Sequence, residues 1–331
     1  MKKIISALSV LSILLASGCG QEEQLPLLTE ASNNVSTSAK KVRSDWYEQL
    51  RPDLQAYYAD AKGKTGAALF DSLHKIIAKG YKQASYQDSK GFMYASADNT
   101  KVNGKAGVFD AYSGVFIPGT GSNGNLYKEA GDQNKDGSPN DFINCEHTWP
   151  QSFFGKAMPM VSDLHHMQST LAFPNQMRGH HPFGTAVHTI PYTTNGGSKL
   201  DVVDLTGKNR SAEEVRKILA LPYEQSSVIM DKEFKVEFEP YNDQKGNTAR
   251  CMLYFYLRYN DQQIKQGEFD QEEFWNSKVA MFTKWSESVD PVNAQDIARN
   301  DVIQKRQGNR NPFVDIPQLA SLIGESVLQS K

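Results

Sequence analysis

Apolar positions along the chain change period several times, and each change predicts an element. In "TGAALFDSLHKIIAKGYKQASY" the residues Leu69, Leu73, Ile76 and Ile77 recur at helical spacing and mark one buried face. "SDWYEQLRPDLQAYYADA", just upstream, has the same spacing. Short strand-like pieces follow, "GFMYAS" and then "GVFDAYSGVFI", and a Gly/Asn/Asp-rich loop runs from Gly119 to Asp141. Further on, "NTARCMLYFYLRY" is apolar or aromatic around nearly the whole helical turn, which predicts a buried helix. "QEEFWNSKVAMFTKWSES" and "VNAQDIARNDVIQKRQG" predict two more helices, the second stopped by Gly308. No internal repeat or linker divides this region. The pattern predicts a single α+β domain, mainly helical, spanning 45–331.

Upstream of Asp45 the pattern is different. "MKKIISALSVLSILLASGCG" has Lys2 and Lys3 before an apolar run from Ile4 to Leu15, then small residues, which reads as an export signal over 1–18. "LLASGC" resembles a lipoprotein cleavage box that would leave Cys19 lipidated, although Ala16 replaces the usual bulky residue. Cleavage by an ordinary signal peptidase is the alternative. Residues 19–44 are polar and Ser/Asn/Thr-rich, and read as a flexible tether. The expected location is therefore the cell envelope as a lipoprotein, or the periplasm or extracellular space as a monomeric soluble protein.

The 331 residues carry a formal charge of −2, and −4 once Lys2 and Lys3 leave with the signal. That balance argues against broad electrostatic coating of nucleic acid, yet permits a local basic groove. If Cys19 carries lipid, Cys145 and Cys251 remain in an oxidising compartment. Two buried thiols are the favoured reading over a disulfide.

Candidate chemistry gathers in "NCEHTWPQSFFGKAMPMVSDLHHMQSTLAFPNQMRGHHPFG". Its ordered blocks E-H-x-W-P-Q-S, P-M-x-S-D-L-H-H, N-x-x-R and P-F-G resemble the bacterial endonuclease I family. "GNTARCMLYFYLRY" and "RNDVIQKRQGNRNPFVDIP" extend the resemblance to roughly Asp45–Leu322. It implies a His-Me finger (ββα-metal) core, with His147 as general base, Glu146 and Asn175 on a divalent metal, and DNA, with RNA as a further candidate, cut to leave 5′-phosphate ends. Two departures flank the helix: Ser169, Thr170, Leu171 and Ala172 replace Pro-Thr-Asp-Gly, and Gly179, His180 and His181 replace Ser-Asn-Tyr.

The residue types suit that chemistry independently. Phosphodiester hydrolysis needs an activated water and a sink for developing charge, and a histidine near neutrality is a natural base. A carboxylate with an amide oxygen suits Mg²⁺, with Ca²⁺ and Mn²⁺ as alternatives, better than zinc. Adjacent strand residues face opposite ways, so Glu146 and His147 could converge only where the strand twists or ends; Pro150 makes an early end reasonable. Pro174 is suited to a helix start, placing Asn175 and Arg178 on one face, where Arg178 could reach the scissile phosphate or form a structural salt bridge. Lys156 is a second phosphate candidate. In "SDLHH", Asp163, His165 and His166 are candidates for supporting or phosphate contacts; strand alternation would send the two histidines to opposite faces.

In "GDQNKDGSPND", Asp132, Asn134, Asp136 and Gly137 match the opening of a calcium loop, but Ile143 stands where the last ligand should be Glu. A structural Ca²⁺ site and a plain Asx/Gly turn are both open readings. Arg306 and Arg310 in the C-terminal motif could touch phosphates, but pinning that segment to the body is favoured. The resulting expectation is an exported, largely non-sequence-specific metal-dependent endonuclease. The rival is a calcium-binding envelope lipoprotein on an inactive nuclease scaffold, held to a membrane through Cys19. A zinc hydrolase lacks its motif.

Overall fold

Short helices open the domain in the computed structural model, which describes residues 45–316 and 318–331. Helix α1 (Pro52–Tyr57) begins on a proline whose missing N–H costs nothing there. Helix α2 (Gly66–Ala78) buries Leu69, Leu73, Ile76 and Ile77, the predicted face. It stops at Ala78, earlier than the pattern suggests, and α3 (Tyr86–Phe92) starts afresh with Ser85 capping the amide of Asp88. "GFMYAS" is helical rather than extended, because α3 runs on into a wide π turn, Met93–Ala97, that buries Met93 and Tyr94. The export signal, the tether and Cys19 lie outside the described residues.

"GVFDAYSGVFI" does form strands. β1 (Thr100–Val102), β2 (Lys105–Phe109) and β3 (Phe116–Pro118) make an antiparallel sheet in chain order. The β2–β3 turn is fastened to the next sheet by Asp110. Its buried carboxylate accepts from the amides of Tyr112, Ser113 and Leu171 and from the Thr170 hydroxyl. β4 (Ile143–His147) pairs antiparallel with β5 (Met167–Leu171), with Glu146 opposite Gln168 and His147 opposite Met167. β5 runs directly into α4 (Ala172–Arg178), which starts two residues before Pro174, so the proline sits inside the first turn.

The sequence patterns quoted above miss a third sheet. β6 (Thr189–Thr193), β7 (Lys199–Asp204) and β8 (Phe234–Glu239) form it in that order, with α5 (Ala212–Leu219) and α6 (Tyr223–Glu233) inserted between β7 and β8. The long α7 (Asn242–Tyr259) is buried on nearly every face, as its composition predicts. Trp149 packs against it, stacking on Phe255 at 5.1 Å while its indole N–H donates to the Ile264 carbonyl. The predicted 271–288 helix is broken into α8 (Gln271–Phe274) and α9 (Val279–Lys284), followed by a π turn, Trp285–Val289. α10 (Ala294–Gln307) carries a capping box from Asn293 and ends at Gly308, whose φ of 88° a side chain would resist. Three short helices finish the chain: α11 (Pro312–Asp315), α12 (Leu319–Ile323) and α13 (Glu325–Ser330).

The C-terminal motif works as a brace. Arg310 is fully buried and held by Asp315 and Asp301. Asn309 donates to the Ile77 carbonyl and to the Tyr254 hydroxyl, and Asn311 donates to the Arg250 carbonyl. Pinning, rather than phosphate contact, is thus what Arg310 does here. Arg306 lies over the Phe92 ring at 5.6 Å. Cys145 and Cys251 are free, buried thiols. No helix among the described residues is long and apolar enough to cross a membrane.

Candidate active site around the β4–β5 pair and α4

The strand pair and the helix after it bring Glu146, His147, Asn175 and Arg178 into one neighbourhood. β4 alternates as strand geometry requires, with Ile143 and Cys145 in an apolar cluster and Asn144 exposed. Glu146 is 2% exposed. A buried carboxylate must be compensated. Tyr112 donates to its Oε1 at 2.8 Å, and Arg178 Nη1 lies 3.0 Å from the same oxygen. Burial raises the Glu146 pKa, while Arg178 and the Tyr112 hydrogen bond pull it down. Its second carboxylate oxygen takes no hydrogen bond from a side chain of the described residues.

Arg178 is fully buried and heavily engaged. Besides Glu146 it donates to the carbonyls of His147 (3.2 Å), Thr148 (2.5 Å) and Gly179 (3.2 Å), and it lies 4.5 Å over the Phe183 ring. The structural salt bridge weighed from the sequence is therefore present, and it ties the end of α4 to the end of β4. Three residues earlier, Asn175 Nδ2 donates to the Cys145 carbonyl at 3.3 Å, which leaves the amide oxygen without a partner among the described residues. Asn175 thus keeps its amide oxygen and Glu146 a carboxylate oxygen that no side chain of the described residues loads, and this donor set fits a hard divalent cation completed by water.

His147 is the last residue of β4, so the strand ends where the sequence argument requires. Its ring lies among Tyr86, Phe154 and His166, and no hydrogen bond or ion pair joins it to the Glu146 carboxylate. Nε2 lies 2.9 Å from the Val161 carbonyl, an acceptor only, so Nε2 carries the proton and Nδ1 keeps its lone pair. Nδ1 is 4.0 Å from Cys145 Sγ. Burial, with smaller contributions from His166, Arg178 and Lys90, lowers the imidazole pKa to about 3, so the ring is neutral at physiological pH.

Asp163, His165 and His166 fall in the turn before β5, not on the strand, so alternation does not govern them. Asp163 accepts from Tyr254, Tyr259 and Gln307, and its pKa is lowered despite burial, with His165 and His166 contributing most to the lowering. His165 faces the Asn309 carbonyl at 3.1 Å and His166 the Met160 carbonyl at 2.7 Å. All three are buried and support the turn from within. Lys156 is exposed in left-handed backbone (φ 57°), with no ion pair among the described residues. Sequence reasoning missed Tyr112 and Val161. The first looks like any core tyrosine, and the second acts through its backbone.

The Asp132–Asp136 loop folds as an Asx-type turn. Asp132 accepts from the amides of Asp136 and Gly137, and Asn134 accepts from that of Asp136. Glu129, not position 143, joins Asp132 and Asp136 in a cluster that could hold a cation, and Asp136 Oδ2 is buried without a partner. A separate cleft of about 410 Å³ opens beside Gln168 and Cys251, and neither Glu146 nor His147 lines it.

Three buried histidines, His147, His165 and His166, with the half-buried His181, make the domain acid-sensitive. His147 and His181 are lowered to about 3, His165 and His166 to about 4, all mainly by burial. A histidine in the unfolded chain titrates near ~6.5, so below that pH the unfolded state binds more protons and stability falls as pH drops toward the folded values. Asp136 and Asp290, raised to about 6, act in the opposite sense, as do Asp110 and Glu146. The histidine shifts are the larger where values can be compared. The melting temperature is expected to fall steadily from pH 7 to pH 5. A flat profile would show that these imidazoles are not buried neutral.

The strand pair and the helix after it thus bring a carbonyl-anchored histidine and a buried carboxylate into one neighbourhood. In comparison with known proteins, residues 65–318 match the Endonuclease I family model. The chain belongs to the endonuclease I family. It is 27% identical over 281 residues to the extracellular ribonuclease of Bacillus amyloliquefaciens, covering 82% of this chain and 78% of the relative. It is 26% identical over 281 residues to the extracellular ribonuclease of Bacillus subtilis (strain 168), covering 82% and 79%.

Proposed function

We propose that this protein is an exported, divalent-metal-dependent endonuclease that hydrolyses phosphodiester bonds in DNA and RNA with little sequence preference, leaving 5′-phosphate ends. The observation that carries the reading is the Val161 anchor, which leaves the His147 Nδ1 lone pair as a proton acceptor. In the proposed His-Me finger, His147 takes a proton from the attacking water. Glu146 and Asn175 would hold Mg²⁺, with Ca²⁺ or Mn²⁺ as substitutes. When bound, the ion supplies positive charge for the oxygens of the scissile phosphate and for the departing 3′-oxygen. Tyr112 and Arg178 offset part of the cost of burying the Glu146 carboxylate and fix it by loading one of its oxygens, so Arg178 acts here as a positioning residue. Lys156, exposed between β4 and β5, is a candidate contact for the nucleic-acid backbone. RNA enters the reading from the names of the two Bacillus relatives, and export from those names and the leader.

The direct test is to incubate the purified protein with supercoiled plasmid and with RNA in Mg²⁺, beside EDTA. Nicking that EDTA abolishes and added Mg²⁺ restores is the expected result. A folded protein that cuts neither polymer with Mg²⁺, Mn²⁺ or Ca²⁺ would sink the reading. The Glu129–Asp132–Asp136 cluster keeps the calcium-binding scaffold as the second reading. A calcium-dependent rise in melting temperature without cutting would favour it.

A further inference from the structure

We propose that His180, His181 and Asp231 form a second metal site, which takes a zinc-class transition-metal ion and clips the end of α4 to α6. Two of these residues are the histidines at which the chain departs from the family pattern. Asp231 comes from a distant part of the sequence, in the third turn of α6. One donor atom from each of the three lies within 4.8 Å of the others. His180 Nε2 and Asp231 Oδ1 are 3.7 Å apart, too far for a hydrogen bond between them.

A tetrahedral ion about 2.0–2.1 Å from each ligand holds its ligand atoms roughly 3.3 Å apart. The three groups therefore need only rotamer-scale movement to close on one ion. Backbone geometry explains how successive histidines come to share a side. Gly179 takes φ 54°, and the His181 amide returns to the Arg178 carbonyl, so the chain turns sharply where an extended strand would have splayed the rings apart. The rings end 5.2 Å apart at 36°.

The ligand chemistry selects the ion. Two imidazole nitrogens with one carboxylate oxygen suit zinc and its neighbours, whereas Mg²⁺ and Ca²⁺ prefer oxygen throughout. The His181 imidazole forms no hydrogen bond among the described residues, so no protein partner competes with an ion for its nitrogens. His180 and Asp231 are partly exposed, 38% and 30% by side chain, which gives an ion a path from solvent. Water can fill the fourth position.

α4 carries Asn175 and Arg178, so an ion here would stiffen the element that positions them without touching substrate. The inference does not depend on nuclease activity, because its readout is binding. The purified protein, stripped with EDTA, is titrated with Zn²⁺, and in parallel with Co²⁺, in millimolar Mg²⁺ and Ca²⁺ that saturate sites built from oxygen. Retention of one equivalent, with visible Co²⁺ absorption bands of a low-coordinate nitrogen site, is expected. His180→Ala and Asp231→Asn should each weaken that binding by at least ~10-fold, since even an outer-shell change costs a metal site that much. Both positions are partly exposed, so equal melting temperatures in EDTA will confirm that the variants fold. No retained equivalent, or one that survives both substitutions unchanged, overturns the proposal.

Discussion

His147→Ala is expected to slow plasmid nicking by about 10²–10⁴-fold, the usual contribution of a positioned general base, with KM nearly unchanged. The expectation follows from the ring's hydrogen bond. The Val161 carbonyl accepts from Nε2 at 2.9 Å, so the tautomer is fixed and Nδ1 is the only nitrogen able to take a proton. The low pKa of about 3 means that the basic form is always present but is weak, and the negative charge of a bound phosphate would raise it. A merely structural histidine predicts something else, namely lower stability with intact turnover per folded molecule. Rates should therefore be normalised to the folded fraction, measured by unfolding in urea. If the alanine variant cuts within ~10-fold of wild type after that correction, the base lies elsewhere.

Arg178→Met should destabilise the domain by about 3–5 kcal/mol, the cost of breaking one side of a buried ion pair. The side chains of Arg178 and Glu146 are 1% and 3% exposed, so water cannot replace the lost partner. The change strands the Glu146 carboxylate and also removes the donors to the His147, Thr148 and Gly179 carbonyls. Adding Glu146→Gln to Arg178→Met removes the stranded charge and should restore part of the loss, since a neutral amide is far cheaper to bury. Urea unfolding of the two single variants and the double variant completes the cycle. Additive effects would mean that the pair is not coupled, and that Arg178 holds the site through the backbone carbonyls alone.

Local physics explains which elements could be read in advance. The α2 face, the all-round apolar α7 and the capped, glycine-stopped α10 each depend on residues a few positions apart, so periodicity and capping reveal them. The strand character of "GVFDAYSGVFI" was legible for the same reason, while its pairing into a β2–β3 hairpin came from the structure. "GFMYAS" was not, because a short apolar run suits a strand and a buried helical turn equally, and tertiary burial of Met93 and Tyr94 decided between them. In the β6–β8 sheet the β7–β8 pairing escaped because two helices separate those strands in the chain, so no local pattern marks them as partners.

The sequence by itself determined the residue types at the site: a Glu-His pair at a strand end, and Asn175 and Arg178 three apart on the following helix. Tertiary structure alone decided their partners. Tyr112 reaches Glu146 from 34 residues away, and Val161 holds His147 through a backbone carbonyl that every residue possesses. Arg178 was legible as a cation, but whether it faces a phosphate or the neighbouring carboxylate depended on burial. Once the helix end closed over β4, the desolvated guanidinium needed an anion within the protein, and Glu146 was the one within reach.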